Sequence, residues 1–208
     1  MRINVHAGHN PAGKVACGAV GLINESTEAR RVKDEVISKL RQLGHTVYDC
    51  TVDNGTGQAD VLKKIIAKCN AHAVDLDVSI HFNSGAGDKG GNGKTTGVEC
   101  YVYSAASKAK AFAEKICQAI SNLGFKNRGV KISQKLYVLK KVRHRHCWWN
   151  AALWMTRTTC SYTPMRRWLM QSYMESPEST CRLHRKRIKQ SRARKLPRVT
   201  GKLCTASR

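Results

Sequence analysis

The chain has 208 residues, of which 41% are hydrophobic, enough for one domain of ordinary size and an additional segment. No apolar run approaches the roughly 18–20 residues of a membrane-spanning helix, which predicts that the chain is not an integral membrane protein. The residues after Met1 lack the apolar stretch of a secretory signal. The net charge of +23 is typical of proteins that bind nucleic acid or another polyanion.

The positive charge is concentrated in the last third of the chain. Residues 1–141 hold 21 Lys and Arg and 12 Asp and Glu, a balance of +9, whereas residues 142–208 hold 16 and 2, a balance of +14. All four Trp also lie in the second segment. The nine Cys have an odd number and no CxxC pair, which argues against a disulfide framework and for a reducing compartment. The composition therefore divides the chain after residue 141.

The first segment alternates between strand-like and helix-like patterns. Short alternating or apolar runs predict strands over residues 2–7, 45–52, 76–82 and 98–103, and apolar stripes with a three- to four-residue period predict helices around residues 29–43, 61–69 and 112–120. Asn24 is a suitable N-cap for the first helix, and Gly44 is a suitable residue to follow its end. A Gly-rich stretch, residues 85–97, predicts a surface loop. This order predicts an α/β fold with a twisted, mostly parallel sheet covered by helices on both faces.

Three residues of the first segment are candidates for a metal site. His9 follows the first predicted strand, His81 lies near the end of the third, and Glu25 begins the first helix. Ligands of such sheets gather at the carboxyl ends of the strands, and two imidazoles with one carboxylate form a set that zinc hydrolases use. Each residue also has a simpler interpretation: a loop hydrogen bond for His9, the helix dipole for Glu25, and a core histidine for His81. Spacing alone leaves both interpretations open.

Several segments resemble, in the same order, the zinc-dependent N-acetylmuramoyl-L-alanine amidases of bacterial cell-wall turnover and phage endolysins. The Gly8-His9 motif after the opening strand and the strand that ends in Ser79-Ile80-His81-Phe82 are similar to the segments that bear ligands in this family. The matching stretches are residues 3–9, 24–25, 43–47, 78–84, 96–102, 127–131 and 136–139. The resemblance covers about residues 2–141.

The resemblance implies a fold and a reaction. It implies a twisted sheet with helices on both sides, and it assigns His9, Glu25 and His81 to the ligands of one zinc ion. The implied reaction is hydrolysis of the amide between the lactyl group of N-acetylmuramic acid and L-alanine in peptidoglycan, for which zinc polarises the carbonyl and activates water. A further glutamate, not a ligand, normally acts as general base and acid. Glu28 is the nearest spare carboxylate, but it does not match that residue and is better explained by a solvated helix face.

The expected catalytic glutamate is absent from the second segment. The family keeps it at the end of a Leu-Leu-Val-Glu strand, but near Trp149-Asn150 this chain reads His-Cys-Trp-Trp-Asn. These residues must be encoded CAY TGY TGG TGG AAY, and starting each codon one base earlier gives Leu-Leu-Val-Glu whatever the Y bases are. Trp154-Met155-Thr156 likewise gives Asp-Asp, which the family has next. The sequence thus predicts that residues from about 142 onward are translated out of frame, and that the last strand and helix of the family fold are missing or garbled.

Two domains follow from these observations: an amidase-like zinc hydrolase domain over residues 1–141, incomplete at its C-terminal end, and a basic, disordered tail over residues 142–208. The expected partner of the chain is peptidoglycan. A chain made in the cytoplasm without a signal peptide reaches peptidoglycan only after release.

One alternative function is that of a catalytically silent domain that binds zinc and cell-wall peptide. Another is a basic nucleic-acid-binding protein, since Arg and Lys interleaved with Trp can contact single strands. Against the latter, the tail replaces a core strand instead of following a complete domain.

Overall fold

The computed structural model of the chain describes residues 1–21, 23–82 and 97–143, and the backbone of residues 146–150. In chain order, its elements are β1 (Arg2–Ala7), α1 (Glu25–Gln42), β2 (Thr46–Asp49), α2 (Gln58–Asn70), β3 (Leu76–His81), β4 (Val98–Val102), α3 (Lys110–Ser121), β5 (Asn127–Ile132), α4 (Tyr137–Lys141) and β6 (His146–Asn150). The predicted Gly-rich loop, up to residue 96, and residues 151–208 of the predicted tail lie outside the described residues.

The described strands form one mostly parallel sheet in the order β2-β1-β3-β6-β4-β5, as the sequence predicted. β2, β1, β3 and β6 run parallel to one another, and β4 and β5 run parallel to each other. The two groups meet at β4 and β6, which pair antiparallel. In the register of β1 and β3, Ala7 lies opposite Ile80. The turn after β1 and the end of β3 therefore meet at one edge of the sheet.

Helices cover both faces of the sheet. The Asn4 side-chain amide of β1 donates to the Cys69 carbonyl of α2 at 2.8 Å, which places α2 on the Asn4 face. On the other face, the free thiol of Cys117 on α3 is hydrogen-bonded to Cys100 of β4. Cys100 pairs with position 149, position 149 with Ile80, and Ile80 with Ala7, so these positions share one face of the sheet. Successive residues of a strand alternate between faces, and Ala7 is three residues from Asn4, so this face is the one opposite Asn4. No helix in the described ranges combines the length and the apolar character needed to cross a membrane.

The ends of α1 agree with the sequence prediction. The Asn24 side-chain oxygen accepts the backbone N–H of Thr27 at 3.2 Å, so Asn24 is the N-cap. Gly44 follows the helix with φ +82, a left-handed conformation that favours glycine. The strand predicted next is shorter than expected, because β2 ends at Asp49. Beyond that point the hydroxyl oxygen of Thr51, in place of a backbone carbonyl, accepts the N–H of Ala7 at 3.2 Å.

Three of the described elements carried too weak a pattern to be predicted: β5, α4 and β6. β5 lies at the edge of the sheet, and its residues are exposed or half-buried, so it lacks the apolar alternation of a core-facing strand. α4 has five residues, too few for a helical period to be recognised.

A strand, β6, is present where the sequence predicted the last strand to be missing or garbled. His146–Asn150 pairs with both β3 and β4 in the interior of the sheet, although these residues fall within the segment predicted as a disordered tail. A strand between two others satisfies its backbone groups on both sides whatever its side chains are, which explains how a sequence without strand alternation occupies this position. The helix that the family has next would lie beyond the described residues.

Candidate metal centre

His9, Glu25 and His81 come together at the sheet edge where β1 and β3 end. His9 lies in the turn after β1, Glu25 is the first residue of α1, and His81 is the last residue of β3. In the described ranges, these three side chains form a group in which one ligand atom from each lies within 4.8 Å of the others. The fold therefore brings together the three residues that the sequence singled out, while metal binding by them stays a prediction.

Glu25 occupies the middle of the group. Its Oε1 lies 3.1 Å from His81 Nδ1 and 3.2 Å from His9 Nε2. The same oxygen accepts the backbone N–H of Phe82 at 3.3 Å, and Oε2 accepts that of Ala19 at 2.9 Å. The His9 and His81 rings are nearly perpendicular, with centroids 5.1 Å apart. These contacts fix the carboxylate between two imidazoles.

The electrostatic environment favours the protonation states that bind metal. Burial acts to raise the pKa of Glu25, but hydrogen bonds to His81 and His9 outweigh it and hold that pKa well below its ordinary value. Burial lowers the pKa of His81 more than Glu25 raises it. Carboxylate and neutral imidazole are the forms that ligate a divalent cation. The side chain of His9 is 25% exposed, against 9% for Glu25, so the group opens to solvent beside His9.

The chemistry of the group fits zinc. Two imidazole nitrogens and one carboxylate oxygen are a ligand set of catalytic zinc sites, which keep a fourth position for water or substrate. Sites for magnesium or calcium are built mainly from oxygen ligands, which this group does not supply. His9, Glu25 and His81 would therefore hold the ion.

The turn between β1 and α1 passes so close to His9, Glu25 and His81 that two of its positions require glycine. A Cβ on Gly18, which has φ +79, would lie 2.5 Å from Glu25 Oε2 and 2.8 Å from His9 Cδ2. A Cβ on Gly8 would overlap the His81 ring. His9 itself has φ +63, a left-handed conformation that costs a residue with a side chain about 1–2 kcal/mol. Contacts from the rest of the fold must hold this conformation.

Replacing Gly8 by alanine should weaken zinc binding and lower the free energy of unfolding by about 1–3 kcal/mol, the usual cost of overpacking. The His81 ring cannot yield cheaply, because it is buried and bonded to Glu25. Zinc titration and thermal unfolding measure both effects. Gly57→Ala is the control, since a Cβ there meets nothing within 4 Å, and it should keep zinc affinity. Equal affinity in the two variants would contradict the close contact at Gly8.

Two other carboxylates, those of Glu28 and Glu99, are poorly suited to act as a general base. Glu28 forms an ion pair with Arg31 at 2.8 Å on α1. Glu99 on β4 is buried, and its partners are Tyr101 Oη at 2.9 Å, Arg128 Nε at 2.9 Å and Lys131 Nζ at 2.5 Å. Burial acts to raise the pKa of Glu99, but these hydrogen bonds and positive charges lower it. A carboxylate with a lowered pKa and occupied oxygens is a weak proton acceptor.

The backbone register identifies a further position at the site. In the parallel pairing of β3 and β6, residue 150 lies opposite His81, and in the antiparallel pairing of β4 and β6 it lies opposite Glu99. Paired positions of neighbouring strands share one face of a sheet. Position 150 is therefore next to the candidate metal centre, and the chain has Asn150 there.

Arg30 is a residue near the site that no sequence pattern indicates, because it lies among the charged residues between the apolar positions of α1. In the structure, its guanidinium donates to the backbone carbonyls of Gly8 and His9. No local pattern could have revealed this, because the acceptors lie more than twenty residues away in the chain.

Comparison with known proteins gives a family and two curated relatives. The sequence profile of a family described as N-acetylmuramoyl-L-alanine amidase matches residues 3–156. An uncharacterized protein of Clostridium perfringens strain 13 is 37% identical over 145 residues, which are 68% of this chain. An uncharacterized 38.4 kDa protein of Clostridium perfringens is 38% identical over 145 residues. The match covers 40% of the length of each of these relatives.

Solved structures share the fold. The catalytic domain of the endolysin CD27L, which targets Clostridia difficile, has a TM-score of 0.69 at 20% identity, with 85% of this chain and 98% of that chain covered. The CwlD amidase of Clostridioides difficile, solved with the GerS lipoprotein, has a TM-score of 0.70 at 15% identity, with 86% and 98% covered. The catalytic domain of CwlV, an N-acetylmuramoyl-L-alanine amidase of Bacillus (Paenibacillus) polymyxa var. colistinus, has a TM-score of 0.63 at 22% identity, with 83% and 93% covered. At these sequence identities, the similarity to the solved structures shows a shared fold and nothing more.

Proposed function

Because the chain belongs to the N-acetylmuramoyl-L-alanine amidase family, we propose that it is a zinc-dependent amidase whose catalysis is impaired by the loss of one glutamate. Its substrate is peptidoglycan, and the bond it is built to hydrolyse joins the lactyl group of N-acetylmuramic acid to L-alanine. It acts at the cell wall or outside the cell, where peptidoglycan is found.

The convergence of His9, Glu25 and His81, with ligand atoms within 4.8 Å of one another, is the observation that carries the zinc proposal. Zinc bound there supplies a Lewis acid that polarises the scissile carbonyl and activates water. In the chain without metal, Glu25 Oε1 contacts both imidazoles, which brings the three candidate ligand atoms together. The exposed side of His9 leaves the centre open to a polymeric substrate.

The register of β6 supports the proposed loss of the general base. Inserting one base before codon 146 places Leu-Leu-Val-Glu at positions 147–150, so the glutamate of the restored frame coincides with Asn150. That position lies opposite His81, beside the candidate metal centre. Asparagine cannot accept a proton from water at neutral pH, so the chain lacks general acid–base assistance there. Sequencing codons 135–155 in independent clones tests the shift of frame, and an intact frame removes that argument.

Zinc content and muropeptide release test the proposed function together. The purified chain, dialysed against metal-free buffer after loading, should keep one zinc ion per chain. Release of muropeptides from purified cell walls should be slow and should stop when a chelator removes the metal. A chain that holds no zinc, or release that survives the chelator, would contradict the proposal.

A catalytically silent domain that binds zinc and cell-wall peptide is the second candidate. The residue at position 150 favours it, since the ligands are present and the expected base is not. Retention of the zinc-loaded chain on cell walls without any muropeptide release would support this candidate. The basic tail that suggested nucleic-acid binding lies, from residue 151, outside the described residues.

A further inference from the structure

We propose that Arg30 is a positioning residue for the metal centre, because its guanidinium fixes the main chain of the turn that carries His9. The inference rests on the proposed zinc site and adds to it a residue outside the ligand set. It concerns the affinity for the ion and the order of the turn, not a chemical step.

Arg30 holds several segments together from a nearly buried position. Its side chain is 17% exposed, and its contacts go mostly to backbone carbonyls. Nη1 donates to Gly8 O at 3.4 Å and Ser26 O at 3.1 Å, Nη2 donates to His9 O at 2.9 Å and Val52 O at 3.0 Å, and Nε and Nη2 donate to Asp53 Oδ1 at 3.1 and 2.6 Å. One side chain thus joins the start of α1, the turn after β1 and the segment after β2.

His9 needs such support more than the other two ligands do. Glu25 and His81 belong to a helix and a strand, whereas His9 lies in an irregular turn with φ +63. A left-handed conformation persists in a residue with a side chain only when its surroundings hold it. Arg30 binds the carbonyl of His9 itself and that of the preceding Gly8, which fixes both peptide groups around the His9 Cα.

Asn10, the residue after His9, stabilises the same turn through its side chain. Its side-chain amide donates to Val15 O and Gly55 O, each at 2.8 Å, and its Oδ1 accepts the N–H of Gly55 at 3.0 Å. Arg30 and Asn10 therefore tie the turn to the same segment, residues 52–55. Arg30 contacts only the backbone of His9, and the His9 imidazole projects toward Glu25.

Lysine cannot replace arginine in this role. A guanidinium presents its N–H groups in a planar fork that reaches several fixed acceptors at once, while an ammonium is a point charge on a flexible stem. The Arg30→Lys substitution keeps the positive charge but removes the planar set of N–H donors. It therefore separates the effect of hydrogen-bond geometry from the effect of charge. Arg31→Lys is the matched control, because the Arg31 side chain is 60% exposed and pairs with Glu28.

The test compares metal affinity in the full-length wild type, Arg30→Lys and Arg31→Lys, by competition with a chromophoric zinc chelator. Arg30→Lys should bind zinc about 10–100-fold more weakly, the usual cost of losing an interaction that orients a ligand. Arg31→Lys should bind as the wild type does. Equal affinity in all three chains overturns the inference. A wild type that binds no zinc overturns the metal centre, and the Arg30 inference with it.

Amide hydrogen exchange without metal separates positioning from general stability. In Arg30→Lys, peptides that contain residues 8–10 should exchange faster than in the wild type, while α2 and β3 should keep their protection. Faster exchange throughout the sheet would mean that Arg30 supports the whole fold, and would overturn the inference. The Co²⁺-loaded chains add a spectroscopic readout, since a misplaced His9 changes the visible absorption of the metal.

Discussion

Replacing Asn150 by glutamate should raise the rate of amide hydrolysis by roughly 10²–10⁴-fold over that of the wild-type chain. This range is the typical contribution of general acid–base catalysis. Position 150 lies opposite His81 in the register of β3 and β6, so a carboxylate there shares the sheet face of the candidate metal centre. A glutamate at this position can accept a proton from water and return it to the leaving amine.

Muropeptide release from purified cell walls measures this effect, with zinc content determined in parallel. Asn150→Gln is the matched control, since it has the length of glutamate without the carboxylate, and it should give no gain. A chain whose frame is restored by one inserted base should exceed Asn150→Glu in both activity and solubility. It recovers the following helix as well as the base, and apolar surface left uncovered on a sheet promotes aggregation.

Two results would contradict this account. If the wild type cleaves peptidoglycan as fast as the frame-restored chain, the proposed impairment is wrong and another carboxylate, Glu28 or Glu99, must supply the base. If neither Asn150→Glu nor the restored frame gains activity while zinc remains bound, the second candidate is favoured, a domain that binds without catalysis.

Replacing His81 by alanine should abolish stoichiometric zinc binding. The substitution removes one of the three proposed ligands and one of the two imidazoles that contact Glu25 Oε1. The loss of zinc affinity should exceed the roughly 10–100-fold loss that is usual when a residue that orients a metal ligand is replaced. Zinc at 100 times its dissociation constant stabilises a wild-type chain by about 2.7 kcal/mol, so added zinc should raise the melting temperature of the wild type and not of His81→Ala.

Elemental analysis and thermal unfolding with and without zinc check this prediction. His9→Ala should behave like His81→Ala. His72→Ala is the control, since His72 stacks on Tyr48 with ring centroids 3.8 Å apart and is not among the grouped ligands. Unchanged zinc content in both His9→Ala and His81→Ala would eliminate the proposed centre.

The sequence by itself determined the succession of the main elements, because the hydrophobic period of each segment reflects the face that it buries. The stripes of α1 and α2 and the apolar runs of β1 and β3 are local patterns that survive in the fold. The order of His9, Glu25 and His81 at the ends of these elements followed from the same patterns and from the family resemblance. The rule that parallel strands end at one edge predicted that His9 and His81 lie close together, and the family resemblance added Glu25 to them.

The tertiary structure alone decided the features that depend on partners distant in sequence. β5 carries no clear pattern because it lies at the sheet edge, and β6 is a strand because β3 and β4 offer backbone groups on both sides. The pairing of position 150 with His81 is a matter of register, which the residues of β6 do not encode by themselves. Arg30 resembles any charged residue of an amphipathic helix until the turn that contains His9 folds against it, since hydrogen bonds to backbone carbonyls leave no trace in the identity of the accepting residues.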